Sequence, residues 1–149
     1  MARAVLDANV YVSAAMRADG RPGRIIERFL SDAVFEIVVS QAIVGEVLRA
    51  LAYPKVLKHI RQGLDPELWF EDIVVLAQFV AGEYELPGVS ADPDDDKYIA
   101  AAVEGRAAFV VTGDPDLLRL EEHEGVRIVS PRAFLDLLQG AQGLTRRTT

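Results

Sequence analysis

Asp7, Glu46, Asp96 and Asp114 lie far apart in a chain of 149 residues, yet each stands where an apolar run gives way to a helical one. Asp7 directly follows the apolar residues 2–6. Asp114 comes after Val111 across Thr112-Gly113, Asp96 lies in the first turns of a helical stretch, and Glu46 in the second turn of another. Asp96, Ile99, Ala100 and Val103 recur at i, i+3, i+4 and i+7, so a carboxylate heads an apolar stripe. Glu46 has Ile43 three residues before it and Ala50 four after it. Burying an unpaired charge is costly, and no Lys or Arg is consistently placed to pair with all four acids. A bound divalent cation would satisfy them together. With no cysteine and two histidines in the chain, an all-oxygen ligand set points to Mg²⁺ or Mn²⁺ rather than zinc.

The elements that must position these acids follow from the apolar pattern. Residues 2–6, 35–39, 109–111 and, more weakly, 126–129 are short apolar runs bounded by turn residues, and runs apolar on both faces suit buried parallel strands. A further short strand is expected near residues 84–86. Ser40 predicts a capped helix over residues 41–53, ending before Pro54. Asp65-Pro66 predicts one over 66–81, Asp92-Pro93 one running to about 104, and Ser130-Pro131 a last one to about 138. Alternating β and α segments predict a three-layer α/β/α sandwich around a mostly parallel sheet, with residues 1–139 as one domain and 140–149 as a flexible tail. In such sheets sites form beyond the carboxyl ends of the strands, and the four acids fall at that one rim.

Each acid also has a plainer role. Asp7-Ala8-Asn9 is turn chemistry that opens a helix. Asp92, Asp94 and Asp95 suit a helix N-terminus, Gly113-Asp114-Pro115-Asp116 suits a tight turn capping a short helix, and Asp116 suits capping or an outer position. Joint placement, rather than any single residue, carries the site.

The formal charge of −7 argues against a nucleic-acid partner only until its distribution is considered. Acids crowd residues 92–116, where divalent ions would partly neutralise them, and Arg17, Arg21, Arg24 and Arg28 crowd another stretch. No segment approaches the roughly 18 apolar residues of a membrane helix, and the first residues meet an acid too early for a signal peptide. The cytoplasm is the expected compartment, with no membrane partner.

Four segments together resemble the PIN-domain family: Val5-Leu6-Asp7-Ala8-Asn9-Val10, Val44-Gly45-Glu46-Val47-Leu48, Asp94-Asp95-Asp96-Lys97-Tyr98-Ile99-Ala100-Ala101-Ala102, and Val110-Val111-Thr112-Gly113-Asp114-Pro115-Asp116-Leu117-Leu118. The likeness runs from residue 2 to about 138 and is nearest to the prokaryotic branch of toxins from toxin–antitoxin pairs. It implies a Mg²⁺- or Mn²⁺-dependent endoribonuclease specific for single-stranded RNA, often a homodimer and often held inactive by a small antitoxin protein. The family's acids fall on Asp7, Glu46, Asp96 and Asp114, with Asn9 and Thr112 as polar residues of the inner rim. Asp95 stands as an alternative to Asp96, and Asp116 as a fifth acid. Phosphodiester cleavage then needs a nucleophilic water and charge stabilisation, both of which a bound metal supplies.

RNA also needs a positive approach. Arg17, Arg21 and Arg24, in a Gly-rich loop after the first motif, are the expected phosphate contacts, with Lys55, Lys58, His59 and Arg61 as a second basic cluster. Tyr11 is expected to pack rather than stack on a base, and Trp69 to lie in the core or an interface. The apolar stretch from Pro54 onward makes a homodimer plausible. A haloacid-dehalogenase-like phosphatase would want an aspartate where Asn9 stands, and a receiver-like domain would want paired acids at the first strand. The non-enzymatic alternative is a PIN-like module that binds RNA or protein without cutting.

Overall fold

The apolar runs become strands because their side chains are shielded on both faces: Ala4, Val5, Leu6, Ile37, Val38, Val39, Val110 and Val111 are all fully buried. A computed structural model describes residues 1–86 and 93–148. In chain order the elements are β1 (Arg3–Leu6), α1 (Ala8–Met16), α2 (Arg21–Glu27) running into a π-helical turn (Arg28–Asp32), β2 (Glu36–Val39), α3 (Gln41–Leu51), α4 (Pro54–Leu57), α5 (Pro66–Leu76), β3 (Gln78–Phe79), a 3₁₀ turn (Pro93–Asp95), α6 (Asp96–Glu104), β4 (Phe109–Val111), α7 (Pro115–Leu118), β5 (Glu122–His123), β6 (Val126–Val129) and α8 (Pro131–Thr148). The described strands form one six-stranded sheet in the order β3-β2-β1-β4-β6-β5. Every pairing is parallel except β5 with β6, and the helices complete a three-layer α/β/α fold.

The predicted caps form as their chemistry requires. Ser40 Oγ accepts from the Ile43 N–H at 3.3 Å, Asp65 Oδ1 from those of Glu67 and Leu68, and Ser130 Oγ from that of Ala133 at 3.1 Å. Asp92, the cap expected for α6, lies outside the described residues.

Four features differ from the sequence reading. The Gly-rich segment expected to be a loop at residues 17–24 becomes helical from Arg21, because Pro22 pre-sets the first turn. Gly23 lets that turn press on the preceding chain, since a Cβ there would strike the backbone carbonyls of Arg17 and Ala18. The helix expected over 66–81 stops at Leu76; Ala77 is extended and the chain pairs with β2 as β3, Val80 N–H donating to Val39 O at 2.9 Å. No strand forms at residues 84–86, because a side chain takes the place of a ladder. The Glu104 carboxylate accepts from the N–H groups of Gly82, Glu83 and Tyr84. The last helix continues past residue 138 to Thr148.

Candidate functional site

The sheet order reverses between β1 and β4: the chain builds outward from β1 through β2 to β3, then returns to the other side of β1. Open α/β sheets collect function at the carboxyl ends flanking such a reversal. Leu6 is in register with Val111, so the next residues, Asp7 and Thr112, are neighbours across the gap. Their backbones extend the ladder, Asp7 N–H donating to Val111 O and Thr112 N–H to Val129 O, each at 3.0 Å.

Asp7 is 5 % exposed and Thr112 fully buried. The Thr112 hydroxyl donates to Asp7 Oδ2 at 2.6 Å, while Asp7 Oδ1 accepts the Asn9 backbone N–H at 2.7 Å and so caps α1. The same Thr112 oxygen accepts the Asp114 N–H at 3.0 Å, which ties the two acidic segments together. Asp114 is half-buried and its Oδ1 caps α7 by accepting from the Asp116 N–H at 2.9 Å. Burial lifts the Asp7 carboxyl above its ordinary value of 3.8, and the nearby carboxylates of Glu46 and Asp114 push the same way, against the lowering bonds from Thr112 and Asn9.

Glu46 reaches the rim from α3, and two neighbours from α6 hold its Oε2. The Tyr98 hydroxyl donates to it at 2.7 Å, and Lys97 Nζ forms an ion pair with it at 2.6 Å. Tyr98, 1 % exposed, also accepts the Ala8 backbone N–H at 3.3 Å, so one phenol spans the start of α1 and the acid of α3. Burial, followed by the bond to Glu46, raises the Tyr98 hydroxyl and keeps it a donor. Of the three consecutive aspartates, Asp94 is exposed, Asp95 half-buried and Asp96, at 7 %, buried.

The other expected residues are arranged differently. Asn9 is exposed and meets Asp7 through its backbone. Asp116 is exposed and ion-paired to Arg119 at 2.7 Å. Arg17 is paired to Asp19 at 2.8 Å, and Arg21 and Arg24 are exposed on α2. Tyr11 packs in the core, its ring edge-on to Phe70. Lys97 and Tyr98 were not singled out from sequence. The signal that could have found Tyr98 is a tyrosine one turn into a buried helix, whose hydroxyl must find a partner.

These donors are oxygens only, which fits a hard divalent cation in kind. In spacing they are open: among the described residues no three acids or histidines close into a ligand shell, and Glu46 is drawn onto Lys97.

A profile of the PIN domain matches residues 3–116. The chain belongs to the PIN-domain family. An uncharacterised protein of Methanocaldococcus jannaschii is 25 % identical over 145 residues, covering 90 % of each chain. PIN domains are generally nucleases that typically use divalent metals, so a nuclease-type function follows for this one. Among the described residues of this PIN domain, no helix is long and apolar enough to cross a membrane.

Two outcomes follow from the Asp7–Thr112 pair of the PIN rim. Thr112→Val leaves a buried carboxylate oxygen and the Asp114 N–H without their shared partner, and is expected to destabilise the fold by about 1–3 kcal/mol in urea denaturation. The pH dependence has a definite sign. An acid whose folded pKa is raised binds more protons folded than unfolded, so its contribution to stability is complete below pH 3.8 and is lost as pH rises through the raised value. Melting temperatures of the metal-free protein, scanned upward from pH 4, should therefore carry a declining contribution that Asp7→Asn removes.

Proposed function

We propose that this PIN domain is a cytoplasmic, metal-dependent endoribonuclease that cuts single-stranded RNA. The observation that carries the reading is the buried Asp7 carboxylate at the sheet's reversal point, beside the carboxylates of Glu46 and Asp114. Asp7, Asp96 and Asp114 would hold Mg²⁺ or Mn²⁺, with Glu46 as a further ligand directly or through water. Bound there, the ion supplies a nucleophilic water at neutral pH and neutralises charge developing on the phosphate. Thr112 fixes the rotamer of Asp7 and the start of the Asp114 turn, and Tyr98 fixes Glu46. Lys97, ion-paired to Glu46 at the rim, would offer a positive charge near a bound phosphate.

The finer reading is the toxin of a toxin–antitoxin pair, acting as a homodimer. Leu57, Leu68, Val75, Leu76 and Phe79 are exposed, and they supply apolar surface that either a second copy or a small antitoxin would cover. One observation favours the alternative of a non-catalytic RNA- or protein-binding module: the Lys97–Glu46 ion pair already satisfies one of the acids.

The test is cleavage of an end-labelled single-stranded RNA with Mg²⁺, with Mn²⁺ and with EDTA. Cutting in either metal and none in EDTA is expected. Pure protein that leaves several RNAs intact under every condition would transfer the reading to the binding module.

A further inference from the structure

A cavity of about 510 Å³ opens between α2, the π-helical turn after it, α5 and α8, away from the acid rim. Arg24, Arg28 and Arg61 line it together with Trp69. Leu64 and Leu135 supply apolar wall, and Glu27, the acid in the lining, accepts a hydrogen bond from Ser31 at 2.7 Å. Three guanidiniums against the Glu27 carboxylate, with Asp32 paired to Arg28, leave this hollow an excess of positive charge in a chain of net charge −7.

Arg28 is the residue that asks for a ligand. Its side chain is 17 % exposed, and Nε lies 3.0 Å from Asp32 Oδ2 as an ion pair. Nη2 is buried and has no hydrogen-bond partner among the described residues. A buried guanidinium with spare donors is costly to leave so, and its planar fork matches phosphate. Arg61 is fastened by its backbone N–H to Ala15 O at 3.1 Å, with Nε 3.4 Å from the same oxygen. Ala15 lies eight residues along the chain from Asp7, about 12 Å at the helical rise.

We propose that this cavity is a nucleotide subsite for the RNA strand that the acid rim cuts, with phosphate held by Arg28, Arg61 and Arg24 and a base stacked on Trp69. The assignment rests on RNA being the substrate. The combination of forked cations with an aromatic face is the chemistry of single-stranded nucleic-acid binding, and it regroups the basic residues. Arg24 joins Arg28 and Arg61, while Arg17 is held by Asp19.

Trp69 is the single tryptophan of the chain, so its fluorescence reports the cavity directly. The full chain, in EDTA to prevent cutting, is titrated with an eight-nucleotide single-stranded RNA and, separately, with an acidic leucine-containing peptide. Saturable quenching by RNA is expected, weakened at least tenfold in Arg61→Gln and in Arg28→Gln. Should Arg28→Gln fail to fold, Arg24→Gln, at an exposed position, must still weaken binding and flatten its salt dependence by roughly one phosphate contact. Quenching by the peptide and not by RNA would make the cavity a protein site and overturn the proposal, as would unaltered RNA affinity in the arginine variants. Quenching without nuclease activity would sink the nuclease reading alone; metal-dependent cleavage without quenching would sink this one alone.

Discussion

Asp7→Asn is expected to lower RNA cleavage by about 10² to 10³-fold or more, the equivalent of removing roughly 3–4 kcal/mol of transition-state stabilisation, without unfolding the protein. The two halves of that result have one physical origin. Asp7 is a buried carboxylate flanked by Glu46, which Lys97 pairs, and Asp114, and in the proposed site a divalent cation would offset the Asp7 and Asp114 charges. Asparagine has the same shape and caps a helix as well as aspartate does, so α1 keeps its start. One bond suffers, because the amide –NH₂ now faces Thr112 or the Asn9 N–H. Relief from buried like charge outweighs a single neutral hydrogen bond worth about 1 kcal/mol. The melting temperature at neutral pH without metal is therefore expected to match or exceed that of the wild type. Calorimetry beside single-turnover cleavage checks both halves; a variant that is inactive because it is unfolded would defeat the explanation.

Phe134→Ala is expected to cost about 3–5 kcal/mol of stability and to leave the chemistry of the folded fraction intact. Phe134 is fully buried on α8. Its ring meets Phe35 edge-on at 5.0 Å and Phe109 at 5.6 Å, and Phe35 in turn meets Phe29 at 5.6 Å. Truncation opens a void under the sheet and removes the rings' mutual edge contacts. Phe109 begins β4 and Phe35 precedes β2, so the cluster lies at the amino ends of the strands, opposite the carboxyl rim that carries Asp7 and Thr112. Urea denaturation followed by circular dichroism measures the loss. A drop in cleavage rate beyond the unfolded fraction would show that rim and cluster are coupled.

What could be read from the sequence is what local chemistry decides. Strands buried on both faces announce themselves as apolar runs, and Ser40, Asp65 and Ser130 cap helices because their side-chain oxygens reach N–H groups two or three residues on. The joint position of Asp7, Glu46 and Asp114 followed from two strand ends and from the place of Glu46 in the second turn of a helix. What failed depended on partners distant in the chain. Residues 77–80 leave a helical pattern because β2 offers an open edge, and the chain entering the expected strand at 84–86 is held instead at residues 82–84 by Glu104, twenty residues after Tyr84. Lys97 and Tyr98 were overlooked for the same reason: their meaning lies in Glu46, 52 residues before Tyr98 in the chain. Arg28 and Arg61 belonged to two separate basic stretches of the sequence, and only the fold brings α2 and the segment before α5 around one cavity.

Mn²⁺ binding followed by electron paramagnetic resonance, in wild type and Asp7→Asn, tests most directly whether the rim is a metal site. Saturable binding by the wild type, weakened at least tenfold by the substitution, is the expected result. Equal Mn²⁺ affinity in the two proteins, or none in the wild type, would contradict the assignment of these acids to a metal.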